Sequence, residues 1–187
     1  MTLFATVSAG EVQLRPLARS ELARIGEIDR TEKIEALYVQ RGTELERRAG
    51  DWSAPSWDPV GDGQHSVAAQ QAALERQVAA GASALGAFAG KRLIGIGLVM
   101  PLVRPGVSQL TYLYVSHGYR ASGIGSRLSD ELERIARTAG DTEMVLSATP
   151  SENTVGFYRR RGFEPMAEPL PELLELEPED VHMHKKL

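Results

Sequence analysis

The chain has 187 residues, of which 42 % are hydrophobic and 25 % charged, with a formal net charge of −4. That length supports one ordinary core rather than two, the composition is that of a soluble globular protein, and no cluster of Lys or Arg is dense enough to neutralise a row of phosphates, which argues against DNA or RNA as partner. Cysteine is absent, which excludes disulfides, thiolate metal ligands and Cys nucleophiles.

Met1 to Val7 has no basic start and soon meets Glu11, so it does not read as a secretory signal. No apolar run approaches the roughly 18 residues of a membrane span, so a cytoplasmic protein without membrane attachment is expected. Val12 to Leu17 alternates apolar and polar residues and predicts a first strand, broken by Pro16. Ser20 then caps a helix carrying Leu22, Ile25 and Ile28; a second helical piece with Ile34 and Leu37 follows a polar hinge at Asp29 to Lys33. Gly50 to Gly63, holding Trp52 and Trp57 among turn residues, reads as a long loop. Ser66 to Ala80 predicts a helix with Gly81 at its C-cap. Leu85 to Ala89 and Leu93 to Met100 flank Gly90-Lys91 as a hairpin. Further along, the pattern predicts a strand at Leu110 to Val115, a helix at Gly125 to Ala139 and a strand at Met144 to Leu146. A short helix at Thr154 to Arg161 and a last strand at Val181 to Lys186 complete the order. Pro169 to Asp180 is an acidic connection without an assigned structure.

Two segments carry chemistry. Arg120-Ala121-Ser122-Gly123-Ile124-Gly125 lies between a strand and a helix. A helix N-terminus leaves its first amides unpaired and carries partial positive charge, and Gly123 and Gly125 remove side chains that would keep a pyrophosphate away. Arg120 adds a planar cation at the rim. Two glycines also suit a plain tight turn, but the position after a third central strand fits neither a dinucleotide fold nor an NTPase phosphate loop. The second segment is Asn153-Thr154-Val155-Gly156-Phe157-Tyr158, continued to Gly162-Phe163. Asn153 can pair both donor and acceptor with an amide of a ligand, and Tyr158 stands more than a turn further along the same helix. Phe157 and Phe163 read as core, Gly162 as a helix cap, and Arg159 to Arg161 as a solvated face.

Together the two segments resemble the GNAT superfamily of N-acetyltransferases, over about Leu85 to Leu187. The resemblance implies an α/β fold spanning residues 1–187 as a single domain. Its mixed, mainly antiparallel central sheet would be flanked by helices and splayed near Val115, so that acetyl-CoA enters beside the strand at Met144 to Ser147. It implies that the pantetheine arm pairs with backbone groups of Leu113, Tyr114 and Val115, that the pyrophosphate rests on the amides of Arg120 to Gly125, and that Tyr158 protonates the departing thiolate. The implied reaction is direct acetyl transfer from acetyl-CoA to a primary amine, with a small molecule as acceptor. A protein or peptide amine, or a non-catalytic acyl-CoA sensor, are the alternatives, and a homodimer is an option common in the family.

The attacking amine must be neutral, so a base is required. Many family members place a Glu on the strand before the turn, but Gln109 to Tyr114 holds no carboxylate. Glu32 is ranked first among substitutes, with Glu27 and Asp29 beside it in the acceptor region and His117, or a water held by Tyr112, as further options. Trp52 and Trp57 are candidates for an aromatic wall over the acceptor, against the alternative that they pin the loop to the core. His182 and His184 share a face but lack a third ligand nearby, so no metal site is expected, and His65 stands alone.

Overall fold

The computed structural model describes residues 12–187, and the reading of Met1 to Val7 lies outside the described residues. In chain order the elements are β1 (Val12–Pro16), a 3-10 helix (Arg19–Glu27), β2 (Glu32–Arg41), β3 (Glu44–Ala54), α1 (Val67–Ala79), β4 (Ser83–Ala89) and β5 (Arg92–Arg104). They continue with β6 (Val107–Val115), a 3-10 turn (His117–Tyr119), α2 (Ile124–Thr138), β7 (Glu143–Ala148), α3 (Glu152–Arg160), β8 (Glu164–Pro165), α4 (Pro171–Leu176) and β9 (Val181–Lys186). Seven strands form one sheet in the order β1-β4-β5-β6-β7-β9-β8, while β2 and β3 form a separate hairpin. Every neighbouring pair in the large sheet is antiparallel except β6 with β7.

Residues Leu93 to Val99 of β5 are buried throughout, as a strand covered on both faces requires. One face packs Ile94 and Val99 against Leu128, Leu132 and Ala136 of α2, with Leu146 and Met183 alongside. The other packs Ile96 and Leu98 against Leu74 of α1 and Leu22, Ile25 and Ile28. The Leu-Ile-Gly-Ile-Gly pattern of β5 follows from the close approach of α2. A Cβ at Gly97 would lie 2.7 Å from Leu132 Cδ1, and one at Gly95 3.2 Å from Leu128 Cδ1. At the start of α1 the Ser66 hydroxyl accepts from the Ala69 amide at 3.1 Å, and Gly81 just beyond its end has φ +110°.

Two expectations are corrected. Ile34 and Leu37 belong to β2, not to a second helix: Ile34 and Ala36 are the buried residues, a period of two, and β2 pairs antiparallel with β3 along its length. Trp52 accordingly lies in β3, opposite Ile34, rather than in a loop. Within the acidic connection, Pro171 occupies the first turn of the short helix α4, where its missing N–H is harmless.

A buried ionic knot ties α2 to β9. The Glu133 carboxylate accepts from Lys185 Nζ at 2.9 and 2.8 Å and from Arg161 Nη2 at 3.2 Å, with Arg137 at 3.4 Å. Arg161 also meets Asp130, so it leaves the solvated basic run to which its sequence neighbours Arg159 and Arg160 belong. Removing the acid leaves the poorly exposed Lys185 without a counter-charge and Arg161 with Asp130 alone. Glu133→Ala should therefore lower the unfolding free energy by about 3 kcal/mol in urea titrations; a loss below about 0.5 kcal/mol would contradict this role.

Candidate active site

The site begins where β6 and β7 part. Their ladder pairs Val107, Ser108 and Gln109 with Glu143, Met144 and Val145 and then stops, although both strands continue to Val115 and Ala148. A bulge in β6 marks the change: Leu98 faces Tyr112 and Val99 faces Leu110, leaving Thr111 as the extra residue. Thr111 and Tyr112 consequently both reach α1, the hydroxyl of one to Gln77 and the phenol of the other to Gln70. Beyond the bulge β6 stays with β5, and the Ser116 amide donates to Ile94 O at 2.8 Å. Strand alternation then turns the backbone groups of Tyr114 toward β5 and those of Leu113 and Val115 toward the gap. Of the three residues expected to meet pantetheine, two therefore offer backbone, and Tyr114 offers its ring.

The turn from Arg120 to Gly125 lies at the wide end of the gap. Ala121 (φ +60°) and Gly123 (φ +81°) both take left-handed backbone, and α2 starts at Ile124 without a capping side chain, unlike α1 and α3, which are capped by Ser66 and Ser151. A Cβ at Gly123 would meet nothing within 4 Å, so the space in front of the first α2 amides is open. Arg120 corrects the expectation of a free rim cation. Its Nε donates to Val115 O at 3.1 Å and its Nη1 to Thr31 O at 3.0 Å, which makes the side chain a strut between the turn and the segment after the first 3-10 helix.

Across the gap, Asn153 Nδ2 donates to Glu32 Oε1 at 2.9 Å, and the Ser151 hydroxyl donates to the same oxygen at 3.3 Å while capping α3. β2 is held here by the Tyr38 amide on Pro150 O at 2.8 Å. Tyr158 is 6 % exposed, edge-on to Phe157 and Phe163 at 5.2 and 5.6 Å between ring centroids. Burial pushes its phenol pKa up, and no described residue hydrogen-bonds the hydroxyl.

The acceptor candidates separate. Glu27 is committed to Arg24 at 2.7 Å and to the Leu93 amide at 2.8 Å, and its carboxyl pKa is lowered chiefly by Arg24. Asp29 accepts from the Thr31 amide and hydroxyl at 2.9 and 2.7 Å, which lowers its pKa, and its carbonyl receives the His117 amide. His117 Nδ1 in turn lies 3.1 Å from Thr31 O. Trp57 is buried against Tyr114, ring centroids 5.3 Å apart, and Tyr112 lies 4.9 Å from Tyr114. Trp52 is away from this wall: it is 41 % exposed, with its ring folded over Gly50 of its own strand.

One residue escaped sequence reasoning. Asp180 immediately precedes β9, at the end where Val181 pairs with Ala148, so it stands at the mouth of the gap. Burial, with the nearby Glu177 charge, pushes its pKa up to about 7. Its carboxylate, with those of Glu177 and Glu32, acts on the Tyr114 phenol, whose pKa is raised first by burial. The only available signal was its position just before the last strand. A surface depression of about 400 Å³, lined by Gln13, Arg15, Arg24, Phe88, Gly90 and Lys91, lies at the β1–β4 edge instead. Its guanidinium groups are already bonded to Glu21 and Glu27, which leaves little to bind a ligand. Among the described residues no group of three metal-ligating side chains occurs; His182 is buried with Nδ1 3.1 Å from the Ser147 hydroxyl.

Known proteins share this architecture. A nourseothricin acetyltransferase structure superposes with a TM-score of 0.70 at 15 % identity, covering 94 % of this chain and 98 % of that one. The PaiA N-acetyltransferase from Thermoplasma acidophilum, in complex with coenzyme A, gives 0.61 at 21 % identity, with coverages of 94 % and 99 %. An aminoglycoside 6'-N-acetyltransferase complexed with coenzyme A gives 0.53 at 18 % identity, covering 63 % of this chain and 79 % of that one. No curated protein sequence matches. No helix among the described residues is long and apolar enough to cross a membrane. The family model for the acetyltransferase (GNAT) family matches residues 47–163, well over half of the chain, from the β2–β3 hairpin to the end of the Asn153 segment. The chain belongs to the GNAT acetyltransferase family and is an acyltransferase.

Proposed function

We propose that this acyltransferase moves the acetyl group of acetyl-CoA directly onto the primary amine of a small molecule. The observation that carries the reading is the gap between β6 and β7, where the Leu113 backbone and the Val115 amide face away from β5 and the uncapped start of α2 lies at the wide end. Extended backbone groups suit the two amides of pantetheine, and the amides of Ile124, Gly125 and Ser126 suit its pyrophosphate. Asn153, oriented by Glu32, adds a side-chain amide on the β7 side. A small acceptor is favoured over a protein segment because Trp57 packs onto Tyr114 and closes that side of β6. The nourseothricin and aminoglycoside enzymes with this fold are named for small amine-bearing molecules, in keeping with that choice.

In the reaction the amine lone pair attacks the thioester carbonyl carbon, an ammonium proton is lost, and the C–S bond breaks to release the CoA thiolate. Asp180 is the preferred proton acceptor. Glu32 Oε1 already holds Asn153 and Ser151, whereas the Asp180 side chain has no partner and titrates close to neutrality. Tyr158 donates a hydrogen bond to the leaving sulfur. Because burial raises its pKa above that of an ordinary phenol, it stabilises the thiolate without giving up its proton fully, and the thiol proton arrives from solvent.

Gly123→Trp fills the open space before α2. Calorimetric titration of acetyl-CoA should show affinity reduced at least thirtyfold in a variant whose thermal melt confirms folding; equal binding, or no binding to the wild type, would refute the cofactor reading.

The Asp180 base has a signed pH dependence. Only the carboxylate accepts a proton, so kcat/KM should rise with pH through about 7, and Asp180→Asn should abolish that limb and lower kcat/KM about 100-fold. An unchanged profile would exclude Asp180. The same shift opposes folding: between the ordinary Asp range near pH 4 and about 7 the native state holds a proton that the unfolded state has lost, so stability falls as pH rises. Urea unfolding at pH 8 should find Asp180→Asn more stable than wild type by about 2 kcal/mol, a discounted value for a partly hydrated site. The two should converge at pH 4.

A further inference from the structure

Beside Tyr114, on the acceptor side of β6, lies a set of hydrogen-bond donors that nothing in the protein uses. Arg30 Cζ sits 4.7 Å above the Trp57 ring centroid. Stacking engages the face of the guanidinium and leaves its N–H edge free. Arg30 Nε and Nη1 are both buried without a hydrogen-bond partner, and so is Nε1 of Trp57, a residue only 5 % exposed. No salt bridge to Arg30 occurs among the described residues. All three unpartnered atoms are donors. Arg30 as a whole is half-buried, but two of its nitrogens and the Trp57 indole N–H are shut off from water with no acceptor, which is unfavourable and suits an anion that arrives from outside.

The position of Arg30 is fixed by its neighbours. The Asp29 amide donates to the Ser116 hydroxyl at 2.9 Å, and the Asp29 carbonyl accepts from the His117 amide at 2.8 Å. Thr31 O receives Arg120 Nη1 at 3.0 Å. The backbone on either side of Arg30 is thus strapped to the residues that directly follow β6, at the mouth of the gap. Its charge reaches the tyrosines there: burial raises the pKa of Tyr112 and Tyr114, and Arg30 opposes the rise in both. Tyr114 is also subject to Asp180, Glu177 and Glu32. Charges of both signs therefore converge on one ring beside the thioester path, carboxylates suited to an amine and a free guanidinium edge suited to an acid.

We infer that the acceptor is a zwitterionic small molecule, an amine that also bears a carboxylate, and that Arg30 with the Trp57 indole N–H binds that carboxylate. The inference rests on the transferase reading and narrows its acceptor. A carboxylate matches one edge of the guanidinium, where Nη2 pairs with either Nε or Nη1, and the indole N–H offers a further donor beside it. Holding the acid at Arg30 fixes which end of the molecule faces the thioester, and an otherwise similar amine lacking the acid leaves the three donors buried and unpaired. Such unpaired donors are the strongest source of discrimination available to a site of this kind.

The test uses acetylated ω-amino acids from N-acetylglycine to 6-acetamidohexanoate, each beside its carboxamide, titrated into CoA-loaded protein. Trp57 fluorescence in a Trp52→Phe background reports binding. At least one acid should bind tenfold or more tightly than its amide, Arg30→Met should bring that pair within about twofold, and Arg30→Lys should fall between. Trp57→Phe, followed by calorimetry, should lose several-fold of the acid affinity and little of the amide's. Equal binding of every pair to wild type, or a preference that survives in Arg30→Met, would overturn the inference. So would inorganic phosphate displacing the best acid at equal concentration, which would mark a general anion site, or a loss of acetyl-CoA affinity in Arg30→Met as large as the loss for the acid. Acetyl-CoA titrated into wild type reports separately on the transferase reading: if it does not bind, that reading fails whatever the acids do.

Discussion

The structure depends on a strand pair that is left incomplete. Backbone N–H and C=O groups inside a protein are almost always paired, yet the parallel ladder of β6 and β7 stops after three residues while both strands run on. The break is built in from both sides. On β6 the Thr111 bulge turns two successive side chains to α1 and keeps the strand on β5; on β7 the ladder with β9 continues to Ala148 and Val181, so β7 cannot follow β6. What remains is a wedge between the two strands, with peptide groups of β6 turned toward it.

The rest of the molecule serves that wedge. Gly95 and Gly97 let α2 lie close on β5, and this brings the uncapped N-terminus of α2 to the wide end of the opening. Arg120, which looks like a phosphate ligand, instead ties Val115 to Thr31 and so fixes the phosphate turn relative to residues 29–31. The backbone at Asp29, next to Arg30, is likewise held by hydrogen bonds, through Ser116 and His117, rather than by salt bridges. That leaves Arg30 and Asp180 as unneutralised groups of opposite sign, a condition that a folded core avoids and an active site uses.

Much of this was legible in local pattern. The Ser66 cap, the Gly90-Lys91 hairpin, the amphipathic face of α2 and the turn at Arg120 to Gly125 are each set by residues a few positions apart, and each lies where its pattern placed it. Ile34 and Leu37 misled because a spacing of three suits a helix, whereas the buried pair in the strand is Ile34 and Ala36 and the deciding fact is the pairing with β3. The side chain of Arg120 could not be read because its acceptor, Thr31 O, lies 89 residues away. Asp180 and Arg30 are ordinary surface types in sequence; only burial, which the fold creates, pushes the pKa of one up to about 7 and leaves donors of the other without a partner.

The most direct test of the incomplete ladder is amide hydrogen exchange with and without acetyl-CoA. The amides of Leu113 and Val115 and of Ile124 to Ser126 should gain protection when the cofactor is added, while Ser108 and Gln109, already in the ladder, change little. Protection confined to the depression at the β1–β4 edge, or no protection at Leu113 and Val115, would contradict it.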